Sequence, residues 1–323
     1  MARALIEIST PHHNFGPVLR CIYCGRKSFN LTKEHVIPFG LAANSLVLRK
    51  ASCAKCQKRT HEFETFCLRH MWWQFRTIMG IPTRKSRESP ESFPMARLVA
   101  TSFKDGEIES SQPRGAVDLP VSAYPLYYFC YSFQPPGLWT ERPRANDVIN
   151  PVMLVDRTAV DGLLAIGEGF KGGTSNPETF CKMLAKIGHS YGIAKLGWGA
   201  FSSPFGLWLR GKENLRFLRW IGSTEEAAGP TTALHEIELR VKSDGVARYV
   251  VVHLRLFACL PVPRYEIVVG KLGPSFNQFS LFEQPLHRIE VKSPLPIGNL
   301  SPAQDVAGVS QAELIQFFEK GPA

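Results

Sequence analysis

The sequence predicts an α+β protein in two parts. A small N-terminal unit covers residues 1–80, a polar linker covers 81–95, and a larger, mixed, β-rich domain of no nameable fold covers 96–323. Three observations predict this. Two Cys-x-x-Cys pairs, Cys21/Cys24 and Cys53/Cys56, stand near the N-terminus with 28 residues between them, and apolar residues at helical spacing follow the second pair. The stretch after Gly80 is rich in Pro, Ser, Arg and Lys, the composition of a connector. Beyond it apolar residues alternate with period two, most clearly on either side of Asp244-Gly245.

In the first part, the apolar run Val18 to Tyr23 leads into the first cysteine pair, and Gly25 supplies the free torsion that such a turn needs. Leu31 to Ile37 reads as a short strand stopped by Pro38, and Leu46 to Leu48 as a second one. Cys53 opens a helix whose apolar positions Phe63, Phe66, Cys67, Met71, Phe75 and Ile78 lie on one stripe, with Gly80 and Pro82 closing it. That stripe is packing surface. The adjacent His12 and His13 read as solvated loop residues. Two thiolates two residues apart in a tight turn bind one metal, and two such turns complete a tetrahedral site of four sulfurs. Cys21, Cys24, Cys53 and Cys56 are therefore the expected ligands of a structural Zn2+. Cys67, Cys130, Cys181 and Cys259 stand singly in apolar surroundings and read as buried thiols of a reduced, cytoplasmic protein.

In the second part, Ala96 to Phe103 and Tyr124 to Phe133 are strand-like. Asn176-Pro177 starts a helix that buries Phe180, Met183, Leu184 and Ile187. Phe205 to Leu209 and Leu215 to Trp220 read as strands. Ile237 to Lys242 and Val250 to Leu256 form a hairpin about Asp244-Gly245, Tyr265 to Val269 adds a strand, and Gln311 to Phe318 a terminal helix. His189, His235, His253 and His287 are scattered and carry no motif.

Charge separates the two parts. Residues 1–90 hold 15 Lys and Arg against 5 Asp and Glu, and the rest balances at 23 against 23, so the whole net charge of +10 belongs to the first part. A small basic unit beside a neutral one is expected to meet a polyanion, here nucleic acid, double-stranded DNA first. Lys33, Lys50, Lys55, Lys58 and Arg59 surround the cysteine pairs and are the expected backbone contacts. No apolar run reaches the ~18 residues of a membrane span, and no long apolar core follows Arg3, so neither a membrane protein nor a secreted one is expected.

Between the cysteine pairs lies Glu34-His35-Val36-Ile37-Pro38, an unusual insert for a plain zinc ribbon. A histidine of ordinary pKa takes a proton from water near neutral pH, and a carboxylate beside an imidazole holds a divalent cation with open positions. Gln57 and His61, four apart, share one face of the expected helix. The combination of Cys21-x-x-Cys24, Glu34-His35-Val36-Ile37-Pro38, a loop with Asn44, and Cys53-x-x-Cys56 before a helix resembles the HNH endonucleases of the ββα-metal fold, over residues 18–66. The resemblance implies a metal-dependent endonuclease. In it Glu34 and His61, with Gln57 behind the second pair, would hold Mg2+ or another catalytic divalent metal. His35 would be the general base, Asn44 would orient it or its loop, and the four cysteines would keep structural zinc. Two positions depart from the pattern: Gln57 stands where Asn or His is more usual, and Ala42-Ala43 where Gly-Gly often stands. The competing expectation is a zinc-bearing nucleic-acid-binding protein without catalysis.

Overall fold

The computed structural model describes residues 6–81, 90–104, 107–156, 168–169, 175–224, 229–274, 286–292 and 300–302. In chain order the first part contains β1 (His13–Phe15), β2 (Thr32–His35), α1 (Phe39–Ala42), β3 (Leu46–Ser52), α2 (Ala54–Phe66), a π-helical turn (Cys67–Met71) and α3 (Trp73–Ile78). β2 pairs antiparallel with β3, placing Glu34 opposite Leu48 and His35 opposite Val47, while β1 joins the other edge of β3 in parallel. Two antiparallel strands followed by a helix is the order expected from the sequence.

The second part contributes β4 (Ser92–Lys104), β5 (Glu107–Pro120), β6 (Tyr127–Phe133), α4 (Gly137–Thr140), β7 (Ile149–Asp156), β8 (Glu168–Gly169) and α5 (Pro177–Leu196). After these come β9 (Phe201–Ser202), α6 (Phe205–Trp208), β10 (Ile221–Ser223), β11 (His235–Ser243), β12 (Arg248–Leu256), β13 (Tyr265–Leu272), β14 (His287–Ile289) and β15 (Leu300–Pro302). Its main sheet has the order β10-β13-β12-β11-β14, with β9 against β13. The class is therefore mixed α and β, rich in strand.

α5 is the central element. Asn176 caps it, its side chain accepting from the Thr179 N–H at 2.8 Å, with Pro177 at the first position, as the sequence predicts. On one side Gly188 and Gly192, one turn apart, let the helix lie directly on the main sheet. A β-carbon on Gly188 would meet Ile267 at 2.8 Å and one on Gly192 would meet Phe201 at 3.0 Å. The N-terminal unit packs on another side, so α5 is buried on both.

The two expected domains share one core. Ile22, Val36, Leu41, Cys67, Trp72 and Phe75 belong to the same buried cluster as Tyr128, Phe180, Leu254 and Ile267. Trp72 shows why. The helix expected to run unbroken from Cys53 to Ile78 changes to a π-turn at Cys67–Met71, and Trp72 leaves helical torsions at φ −122°. Its indole then lies stacked on Tyr128, edge-on to Phe180 and Phe257, and its N–H reaches the Phe129 carbonyl at 2.7 Å. A continuous α-helix would have carried this ring away from that pocket.

Other expectations change for local reasons. β4 begins at Ser92, inside the expected linker, and Phe93 is fully buried; residues 82–89 of that linker lie outside the described residues. Phe205–Trp208 is a helical turn instead of a strand: Ser203 Oγ accepts from the Phe205 N–H at 3.3 Å and starts it. A short apolar run alone does not distinguish the two. Leu215 to Trp220 forms a 3-10 turn at Phe217–Arg219, and Arg216 just before it is held by Asp147 at 3.1 Å. The hairpin is found at His235–Ser243 and Arg248–Leu256, and all four single cysteines are buried. The expected helix at Gln311 to Phe318 lies outside the described residues.

Two buried groups give the fold an acid limit. His235 bridges the two parts: its Nδ1 accepts from the Phe257 N–H at 3.0 Å, so Nε2 carries the proton and donates to the Leu41 carbonyl at 3.2 Å. Burial holds it down to about 4, against the opposing pull of that carbonyl. Burial alone would raise Glu266, but hydrogen bonds from His253 and Lys242 outweigh it and hold the carboxyl at about 2. The unfolded chain binds more protons than the fold below about pH 6.5 at His235 and below about 4.3 at Glu266. The urea midpoint is expected to fall from about pH 6.5 towards 4, and again from about 4.3 towards 2. In His235→Gln, which takes up no proton there, the first fall is expected to shrink.

Candidate functional site

The cysteine pairs converge. All four Sγ atoms lie within 4.8 Å of one another, with Cys24 Sγ 3.8 Å from Cys53 Sγ. Four sulfurs about 2.3 Å from one zinc stand about 3.8 Å apart along the edge of a tetrahedron, so the donor set fits the ion. The first turn is closed by Gly25 N–H to Cys21 O at 2.8 Å, with Gly25 at φ +73°. The second lies on the first turn of α2, where free backbone N–H groups favour thiolates. The hydrogen bond from Cys56 pulls the Cys21 thiol down to about 4, against burial, and the same bond pushes Cys56 up. Among the described residues this is the only group of three or more His, Cys, Asp and Glu side chains placed to hold a metal.

The expected second metal site is built differently. Glu34 is 5% exposed and its carboxylate meets the Lys186 ammonium at 2.9 Å. The same ammonium meets Glu64 of α2 at 2.8 Å, and also donates to the His35 and Val36 carbonyls. Burial pushes the Glu34 carboxyl up; Lys186 pulls the other way and Glu64 adds to the rise. Burial would discharge Lys186, but the two carboxylates outweigh it and hold its pKa above the ordinary lysine value. Tyr23 lies over this group, its hydroxyl 3.5 Å from Ser190 Oγ.

His61 does not join Glu34. It is exposed on α2, with Nε2 3.2 Å from Thr65 Oγ1, and Glu64 is the helix carboxylate that reaches inward. Gln57 is half-buried and gives its backbone carbonyl to the Thr60 hydroxyl at 3.1 Å. Asn44 accepts from Lys33 Nζ at 3.3 Å. His35 is 7% exposed, its ring edge-on to Phe39 at 5.5 Å. A divalent cation shared by Glu34, Gln57 and His61 therefore does not fit this arrangement, since an ammonium already lies against the buried carboxylate and the imidazole of His61 faces solvent.

The expected backbone contacts Lys33, Lys50, Lys55, Lys58 and Arg59 are all exposed. Arg59 is paired with Glu62 at 3.3 Å, an exposed pair that water and salt weaken.

Sequence reasoning missed three residues of α5. Lys186, His189 and Ser190 follow i, i+3, i+4 spacing and so share a face. Lys186 meets Glu34 and Glu64, His189 Nε2 lies 2.8 Å from the Ile22 carbonyl beside the first cysteine pair, and Ser190 meets Tyr23. The signal was a lysine, a histidine and a serine inside the otherwise largely apolar run Met183 to Ile193. No family model, curated protein or solved structure matches the chain. Among the described residues no helix is long and apolar enough to cross a membrane.

Proposed function

We propose that this protein engages nucleic acid through its N-terminal unit, with structural zinc at Cys21, Cys24, Cys53 and Cys56 as the anchor of the binding surface. The observation that carries this is the coincidence of the four-cysteine cluster with a set of exposed cations, on the only part of the chain with excess positive charge. Zinc would fix β3 and the start of α2, and with them Lys50, Lys55 and Lys58. Phosphate contacts from such side chains are electrostatic and independent of sequence.

A second reading, phosphodiester hydrolysis with His35 as base, is favoured by the place of Glu34-His35 at the end of β2 beside α2, as in the HNH resemblance. Here His35 would take a proton from water, a contribution of about 10² to 10⁴ in rate.

Because the core is continuous, the test uses the full chain. Lys50→Glu/Lys55→Glu/Lys58→Glu is expected to weaken duplex DNA binding at least about tenfold at about 0.15 M salt, and to lower the salt slope by about one per lost contact. Unchanged affinity and slope would remove the reading. A plasmid-nicking assay on the same preparations, with and without Mg2+ or Mn2+, separates the two readings. Nicking lost in His35→Ala at unchanged DNA affinity supports hydrolysis, and a wild type that binds without nicking supports binding alone.

A further inference from the structure

The carboxylates of Glu34 and Glu64 come from different elements, β2 and α2, and meet at one point. Opposed carboxylates held together in a buried place need either a shared proton or a cation between them. In this chain the cation is part of the protein. Lys186 is wholly buried, its ammonium is 2.9 Å from Glu34 and 2.8 Å from Glu64, and its remaining donor capacity goes to the His35 and Val36 carbonyls. An ammonium has three donors and no acceptor, so this set engages it in full. Its backbone comes from α5, which the main sheet fixes through Gly188 and Gly192, so the charge is delivered by a rigid element.

We propose that Lys186 is a built-in cation that stands in for a divalent metal between Glu34 and Glu64, and that its charge closes this site to divalent ions in the wild-type protein. The same ammonium also donates to the His35 and Val36 carbonyls at the end of β2. This role of the cation does not depend on whether the protein binds nucleic acid.

The test is a Mn2+ titration of the zinc-loaded full chain, read by electron paramagnetic resonance and by thermal melting, with no nucleic acid present. Wild type is expected to show no Mn2+ site that Glu34→Gln removes, and no rise in melting temperature with Mn2+. Lys186→Met, which keeps an unbranched apolar stem and ends one atom short of the lost ammonium, is expected to gain one Mn2+ site at least about tenfold tighter than any wild-type binding. Its melting temperature should rise with Mn2+, and both effects should vanish in Lys186→Met/Glu34→Gln. A wild-type Mn2+ site abolished by Glu34→Gln would overturn the proposal, because the metal would then displace the lysine. A folded Lys186→Met that gains no site would overturn it equally. Should Lys186→Met not fold in buffer, refolding in Mn2+ supplies the same reading: recovery supports the proposal, and failure to recover in Mn2+ while Lys186→Arg folds counts against it.

Discussion

Cys24→Ser is expected to release about one equivalent of zinc and to unfold more than the segment that holds it. Structural zinc contributes on the order of 10 kcal/mol or more to the folding of small zinc modules. Here the cluster ties the turn after Val18 to the first turn of α2, beside the backbone hydrogen bonds that Val18 and Ile22 make to β3. Losing it frees Ile22 and Tyr23, which pack against α5, and strips the His189 ring of the Ile22 carbonyl. Zinc content by mass spectrometry should fall from about one equivalent to near none, and the melting transition should broaden and shift down across the whole chain. Unchanged zinc content would rule this site out, and a loss confined to the N-terminal unit with an intact second transition would contradict the shared core.

The second large effect is expected at Lys186. Removing one partner of a buried charge pair is worth about 3–5 kcal/mol, because the remaining charge stays buried without compensation. Lys186→Ala leaves two carboxylates facing each other and should lower stability at neutral pH by that order. The carboxylates then take up protons above their ordinary range, so the loss should shrink as pH falls from neutral towards about 4.3, the ordinary glutamate value. Neutralising them as well, in Lys186→Met/Glu34→Gln/Glu64→Gln, should recover much of the loss, since an uncharged cluster carries no unpaired charge. Urea melts of the single and triple variants check this. A Lys186→Ala chain as stable as wild type would mean that the ammonium is not buried between the two groups.

The four-cysteine cluster was legible in the sequence because each pair lies within one local turn, where spacing alone fixes which atoms can meet. The same locality made the Asn176 cap, the hairpin about Asp244-Gly245 and the order β2, β3, α2 legible. The four lone cysteines were legible as buried thiols from their apolar neighbours. The sequence by itself therefore determined the local elements and the four cysteines of one candidate metal site.

The tertiary structure decided what Glu34 does. The resemblance gave it His61 and Gln57 on the neighbouring helix as partners; in the fold its partner is Lys186, on a helix far along the chain. No periodicity encodes that pairing, because it depends on α5 packing against both the main sheet and the N-terminal unit. The expected boundary between two domains failed for the same reason. Composition changes sharply where the basic excess ends, but Trp72 turns its ring into a core shared with Tyr128, Phe180 and Phe257. Charge and turn residues mark where the surface changes, whereas burial is settled only when distant apolar faces find one another.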